Sequence, residues 1–100
     1  MSIEKQIVMA LKQVYDPEIP VNVYDLGLIY DIRVDILKKA FIKMTLTAPN
    51  CPMADDLLQD VHDAVSFVPG VEDVAIELTF DPPWDKGHMS EEALLELGML

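Results

Sequence analysis

The sequence predicts an α+β fold, a two-layer sandwich in the order αββαβα with a three-stranded mixed sheet and helices on one of its faces. Three observations carry that prediction. Three segments alternate apolar and polar residues with a period of two, and three others repeat apolar residues every three or four positions. The second and third strands flank a helix, and a β–α–β crossover makes such strands parallel, with a right-handed connection. One hundred residues, 51% of them apolar, suffice for one modest core, so residues 1–100 are expected to form a single domain.

The first helix is expected over 2–15. Ser2 is placed to cap it and Glu4 falls in its first turn. Ile3, Ile7, Ala10, Leu11 and Val14 make one apolar stripe, with Lys5, Lys12 and Gln13 opposite. Asp16-Pro17-Glu18-Ile19-Pro20-Val21-Asn22 then forces an extended or turning path, because proline fixes φ and lacks a donor. Tyr24-Asp25-Leu26-Gly27 leads into a strand at 28–36, with Leu28, Tyr30, Ile32, Val34 and Ile36 inward and Asp31, Arg33 and Asp35 outward. A second strand at 40–47 turns Ala40, Ile42, Met44 and Leu46 inward and Lys43, Thr45 and Thr47 outward. Leu37-Lys38-Lys39 must form the hairpin without the usual glycine or asparagine.

The second helix is expected over 52–68. Ala54, Leu57, Leu58, Val61, Ala64, Val65 and Val68 share one face, Asp55, Asp56, Gln59, Asp60 and Asp63 the other, and Pro69-Gly70 stops it. The third strand, 72–80, turns Val74, Ile76, Leu78 and Phe80 inward. A stiff loop, Asp81-Pro82-Pro83-Trp84-Asp85-Lys86-Gly87, precedes a short last helix capped by Ser90 and closed by Gly98.

Eighteen acidic against seven basic residues give a formal charge of −11. Such a surface repels nucleic acid and anionic membrane, and it suits basic partners or simply solubility. No stretch approaches the roughly 20 apolar residues of a membrane span. Residues Met1 to Gln6 have neither the basic start nor the apolar run of a signal peptide, which predicts a cytoplasmic protein. The single cysteine, Cys51, cannot form an internal disulfide, in keeping with a reducing compartment.

Cys51 lies in Leu46-Thr47-Ala48-Pro49-Asn50-Cys51-Pro52-Met53, between a strand pattern and a helix pattern. Pro52 suits a first helical position, which puts Cys51 at the N-cap or beside it. Backbone N–H groups and the positive helix end should lower the thiol pKa there. A free cysteine is also, often, just a small buried apolar residue. One sulfur falls short of the four ligands of zinc or an iron–sulfur cluster, so any metal site must draw on a second chain, a partner or a small thiol.

The other candidates have plain alternatives. His62, eleven residues along the same helix, would sit about 16 Å from Cys51 and reads as a surface residue. His88 follows Trp84 and could fold back toward the cysteine, but no group to orient it is evident. Asp16, Glu18 and Asp25 could bind a hard metal or do acid–base work, yet carboxylates also stabilise turns. Thr47 and Asn50 could hydrogen-bond the thiolate or cap the helix. Trp84, placed by two prolines, either folds over the core edge or forms a wall beside Cys51. The geometry favours the wall, since parallel strands two and three both end, at Thr47 and Phe80, on one sheet edge, where ligand sites of open α/β sheets form.

Four signatures, in order, resemble one family: Asp16-Pro17-Glu18-Ile19-Pro20-Val21-Asn22, Tyr24-Asp25-Leu26-Gly27-Leu28-Ile29-Tyr30, Thr47-Ala48-Pro49-Asn50-Cys51-Pro52, and Val71 onward to Asp81-Pro82-Pro83-Trp84 and Met89-Ser90. The chain is similar, over nearly all its length, to the SufT/PaaD-like metal–sulfur cluster biosynthesis domains. The resemblance implies an accessory role in assembling iron–sulfur clusters or maturing metalloproteins. Cys51 then matches the family's reactive cysteine, Asp16 and Glu18 its acidic loop, and Trp84 its Asp-Pro-Pro-Trp motif. Cys51 would contact iron or a cluster transiently, with Asp16, Glu18, Asp25, Thr47, Asn50 and Trp84 around it and no tightly bound cofactor. Partners would be assembly proteins or client apoproteins, with the chain a monomer or a homodimer. Some PaaD-like members, which belong to phenylacetate-degradation operons, carry extra cysteines near the C-terminus; the resemblance without them points to the short SufT-like form. Two further readings stay open: a thiol-dependent transferase or reductase, and a binding module that engages a basic partner through Asp56, Asp60 and Asp63.

Overall fold

A computed structural model describes residues 2–16, 19–47 and 54–98. The elements follow the expected order: α1 (Ile3–Leu11), β1 (Ile29–Val34), β2 (Lys39–Met44), α2 (Ala54–Ser66), β3 (Asp73–Leu78) and α3 (Glu91–Glu96), with one 3-10 turn at Lys86–His88. The sheet order is β1-β2-β3, β1 antiparallel and β3 parallel to the central β2. It is the α+β, three-stranded mixed sheet that the alternation predicted.

The core forms where the apolar stripes meet. Ala40, Ile42, Met44 and Leu46 are all buried on one side of β2. Ile7, Leu11 and Val14 from the first segment and Leu57, Val61, Val65 and Val68 from the second close over them. α1 packs on α2 and β1, and α2 on β3. α3 sits at the sheet end, where the Ser90 N–H donates to the Asp25 carbonyl at 2.8 Å and Ala93 is buried. Across β2 and β3 the parallel register sets Lys39 opposite Asp73 and Lys43 opposite Glu77. Their exposed side chains pair at 3.7 and 3.8 Å, contacts worth under about 1 kcal/mol each.

Several details depart from the periodicity. α1 is capped by Ser2 as expected, the Lys5 N–H donating to its hydroxyl, but it ends at Leu11 rather than residue 15. Residues 14–16 are drawn instead into antiparallel pairing with 21–23: the Val23 N–H donates to the Val14 carbonyl and the Asp16 N–H to the Val21 carbonyl. β1 holds a bulge. Ile29 faces Met44 and Asp31 faces Lys43, leaving Tyr30 as an extra residue that reverses the alternation. Tyr30 therefore does not point into the core. Its outer-face neighbour Thr45, expected to meet solvent, is fully buried beside it. Ile36 lies 94% exposed at the hairpin tip, and Leu78 at the end of the edge strand and Phe80 just beyond it are also exposed.

The hairpin turns without glycine because Asp35 clasps it. Its carboxylate accepts the N–H groups of Leu37 and Lys39, both at 2.9 Å. Lys38 supplies the left-handed residue, φ +66°. Asp35→Ala should therefore cost about 1–2 kcal/mol, two charge-assisted hydrogen bonds to backbone N–H groups being lost. Lys38→Gly should gain up to about 1 kcal/mol, the left-handed penalty outweighing the added chain entropy. Urea midpoints of both variants check this; an unchanged Asp35→Ala midpoint would mean that the carboxylate does not hold the turn.

Candidate functional site

The end of the sheet where β2 and β3 finish and β1 begins gathers the unusual sequence motifs. Met44 lies opposite Leu78 at the parallel exit and opposite Ile29 at the antiparallel entrance. The Thr45 N–H donates to the Leu28 carbonyl and the Thr79 N–H to the Met44 carbonyl, both at 2.8 Å. Three loops thus start or finish within one strand spacing of each other.

The first loop ends in a single helical turn. Asn22 caps it: its side-chain oxygen accepts the Asp25 N–H at 2.9 Å, and its amide donates to the Asp25 carboxylate at 2.8 Å. The turn closes with Leu28 N–H to Val23 carbonyl and Gly27 N–H to Tyr24 carbonyl, the Schellman pattern, whose left-handed position is Gly27 at φ +86°. A Cβ on Gly27 would also strike the His88 carbonyl. Glycine is required here twice over, for its backbone angle and for the close approach of the second loop.

That second loop, 81–90, is tied down at four points. The Trp84 indole N–H donates to the Leu26 carbonyl at 2.7 Å, and the partly buried ring packs on the core. The Tyr30 hydroxyl donates to the Pro82 carbonyl at 2.7 Å, and its ring meets that of His88 with centroids 5.7 Å apart. Asp85 caps the 3-10 turn through Gly87 N–H, while His88 Nδ1 accepts the Asp85 N–H at 3.0 Å. Ser90 then binds the Asp25 carbonyl and caps α3 by accepting the Ala93 N–H. Between the two loops runs a groove of about 630 Å³, lined among others by Tyr24, Gly27, Tyr30, Pro82, His88 and Ser90.

The candidates from the sequence separate on this frame. Trp84 lies at the sheet end and braces the loop. Asp25 is in the same cluster, but its carboxylate binds the Asn22 side chain rather than capping the turn; Asn22 does the capping. Asp16 is buried and accepts the Ile19 N–H at 3.0 Å, a turn-stabilising use of the carboxylate. Thr47, partly buried, follows β2 off the same sheet end. Glu18, Asn50 and Cys51 lie outside the described residues. His62, on α2, has Nδ1 3.7 Å from Asp63. Among the described residues, no three His, Cys, Asp or Glu side chains are placed to hold a metal ion.

Tyr30 and Asn22 were hidden in the sequence. Strict alternation put Tyr30 in the core, and only the bulge reveals it as a groove residue. Asn22 carried a readable signal, an asparagine three residues before an aspartate at the start of a helical turn. The Tyr30 pKa is raised from its ordinary value, chiefly by desolvation, with the Asp85 charge adding to it; the Thr45 hydroxyl acts in the opposite sense.

The family profile described as an iron–sulfur cluster assembly protein matches residues 4–78. The chain belongs to that family. A Porphyromonas gingivalis protein called an Fe-S protein maturation auxiliary factor is 59% identical over 97 residues, covering 97% of this chain and 92% of its own. The Staphylococcus aureus Fe-S protein maturation auxiliary factor SufT is 34% identical over 86 residues, 86% of this chain and 98% of its own. A solved Bacillus anthracis structure, described as a domain of unknown function, DUF59, superposes with a TM-score of 0.92 at 37% identity and covers 98% of this chain and 93% of that one. In this iron–sulfur assembly protein the Tyr24-to-Gly27 and Asp81-to-Trp84 motifs hold each other at the sheet end where Thr47 follows β2.

Gly27→Ala should destabilise by about 3 kcal/mol or more, combining the left-handed penalty with the contact to His88. Trp84→Phe should cost about 1–2 kcal/mol through the Leu26 carbonyl left unpaired. Denaturant melts check both, and a neutral Gly27→Ala would show the second loop free to move away. For Tyr30, a raised folded pKa means stability that is fully present below the unfolded value near 10 and lost as pH rises through the folded value. Tyr30→Phe should lose this component of the decline, read from unfolding midpoints across that alkaline window alongside phenolate absorbance.

Proposed function

We propose that this protein is an accessory factor in iron–sulfur protein maturation, offering the Cys51 thiolate at the motif-bearing sheet end as a transient ligand. Iron or an iron–sulfur cluster would be cargo in passage to a client apoprotein. The observation that carries the reading is the shared exit of β2 and β3 beside the clasped loops. Cys51 lies four residues from Thr47 and three from Ala54. An extended chain spans at most about 3.6 Å per residue, so its Cα is within roughly 14 Å of the one and 11 Å of the other. In this reading the tether brings the thiol to this end of the molecule.

The charge around the tether favours a cation. Asp55 and Asp56, both exposed, occupy the first turn of α2. They complement the helix dipole and would draw ferrous iron while repelling an anionic substrate. A single thiolate leaves the remaining ligands to a partner, a small thiol or a second copy, which suits a carrier that must release what it holds. Asp25 and Trp84 act as positioning residues in this reading: they hold the loops that frame the groove. The relatives are called auxiliary factors, which supports a non-enzymatic role. A thiol enzyme would need a base at the sulfur. His62 is separated from Cys51 by the length of a helix segment, and one nitrogen of His88 is engaged in its own loop.

The test is anaerobic transfer of iron and sulfide to an apo client protein in the presence of wild type or Cys51→Ala. The expected result is a loss of at least about tenfold in client activation, with an unchanged unfolding midpoint. Full activity of Cys51→Ala would remove the thiol from the function.

A further inference from the structure

We propose that the groove between α1 and α2 receives a basic amphipathic helix from a partner protein. The groove, about 620 Å³, is lined by Met9, Ala10, Ala64, Phe67, Val68 and Pro69 among others. Phe67 is 84% and Met9 55% exposed, so two of the largest side chains on the helical layer face water side by side. The surrounding charge states which partner fits. At 100° per residue, Asp60 and Asp63 fall within about 40° of Phe67, on the solvent-facing rim of α2 beside the groove. Both are exposed, and Asp60 has no opposite charge within ion-pair distance among the described residues. Across the groove Met9 and Ala10 are neutral. One wall is therefore acidic and the floor apolar.

An amphipathic helix fits that arrangement, with its apolar stripe on Phe67 and Met9 and lysine or arginine along one flank. Asp60 and Asp63 are about 4.5 Å apart along the axis, just under one turn, matching cations one turn apart on the partner. A second copy fits poorly. A two-fold contact through this groove would set the acidic wall of one chain against that of the other, each chain carrying −11. The groove lies at the C-terminal half of α2, about 20 Å from its first residue, so a partner seated there leaves the Cys51 segment open to cargo.

The test uses the full-length protein and a synthetic helical peptide of about 20 residues, with a leucine and phenylalanine stripe flanked by lysine and arginine. Anisotropy should show saturable, salt-sensitive binding. It should weaken about tenfold or more in Phe67→Ser and again in the double variant Asp60→Lys, Asp63→Lys. Amide shifts on binding should map to Met9, Ala64, Phe67 and Val68. Both variants change exposed side chains, and their unfolding midpoints should match wild type. Cys51→Ala should bind the peptide as wild type does, so a failure here is separable from a failure of the maturation role. The proposal is overturned by equal binding of a peptide with glutamate in place of lysine and arginine, by shifts on the outer sheet face instead, by no saturable binding, or by a dimer that Phe67→Ser dissolves.

Discussion

The structure depends on two loops that hold each other. The helical turn ending at Gly27 presents the Leu26 and Asp25 carbonyls outward, and the 81–90 loop satisfies them with the Trp84 indole and the Ser90 N–H. Neither loop has a strand or long helix of its own to stabilise it. Each closes its backbone hydrogen bonds through the other, so the free-energy cost of ordering them is met jointly. The absence of a side chain at position 27 is what permits the approach, because any Cβ would occupy the space of the His88 backbone.

This clasp also explains why polar residues are buried at one end of an otherwise simple sandwich. Tyr30, put out of phase by the bulge, reaches the Pro82 carbonyl and covers Thr45. Asn22 and Asp25 satisfy each other through two hydrogen bonds instead of facing the groove as free carboxylate and amide. The carboxylates that looked like a metal-binding cluster, Asp16 and Asp25, are engaged with turn backbone and side chains. Their oxygens are taken up in holding the fold's own turns.

The two ends of α2 carry different chemistry. Its N-terminal end joins the cysteine segment and bears Asp55 and Asp56; its C-terminal half exposes Phe67 beside the apolar residues of α1. Under the two proposals above, cargo and partner would meet opposite ends of this one helix.

Sequence periodicity alone determined the order of elements, the parallel pairing of β2 and β3, the caps at Ser2 and Ser90 and the stop at Gly70. These follow from local rules: one face of each element must be buried, and each helix end must satisfy its own N–H and C=O groups. The inward set of β2 was legible for the same reason, a central strand having no alternative face to bury. Only the tertiary structure decided the rest. The bulge at Tyr30, the early end of α1 and the uses of Asn22, Asp25, Asp35 and His88 all arise where a backbone group finds its partner on a segment distant in sequence or out of phase with the repeat. The bulge changes the phase on one side only: Ile32 and Val34 keep the face the alternation gave them, while Ile29 and Tyr30 do not, and no periodic pattern encodes that. The cysteine was conspicuous in the sequence from its neighbours; the clasp of the two loops at the sheet end came from contacts such as Trp84 with Leu26, 58 residues apart.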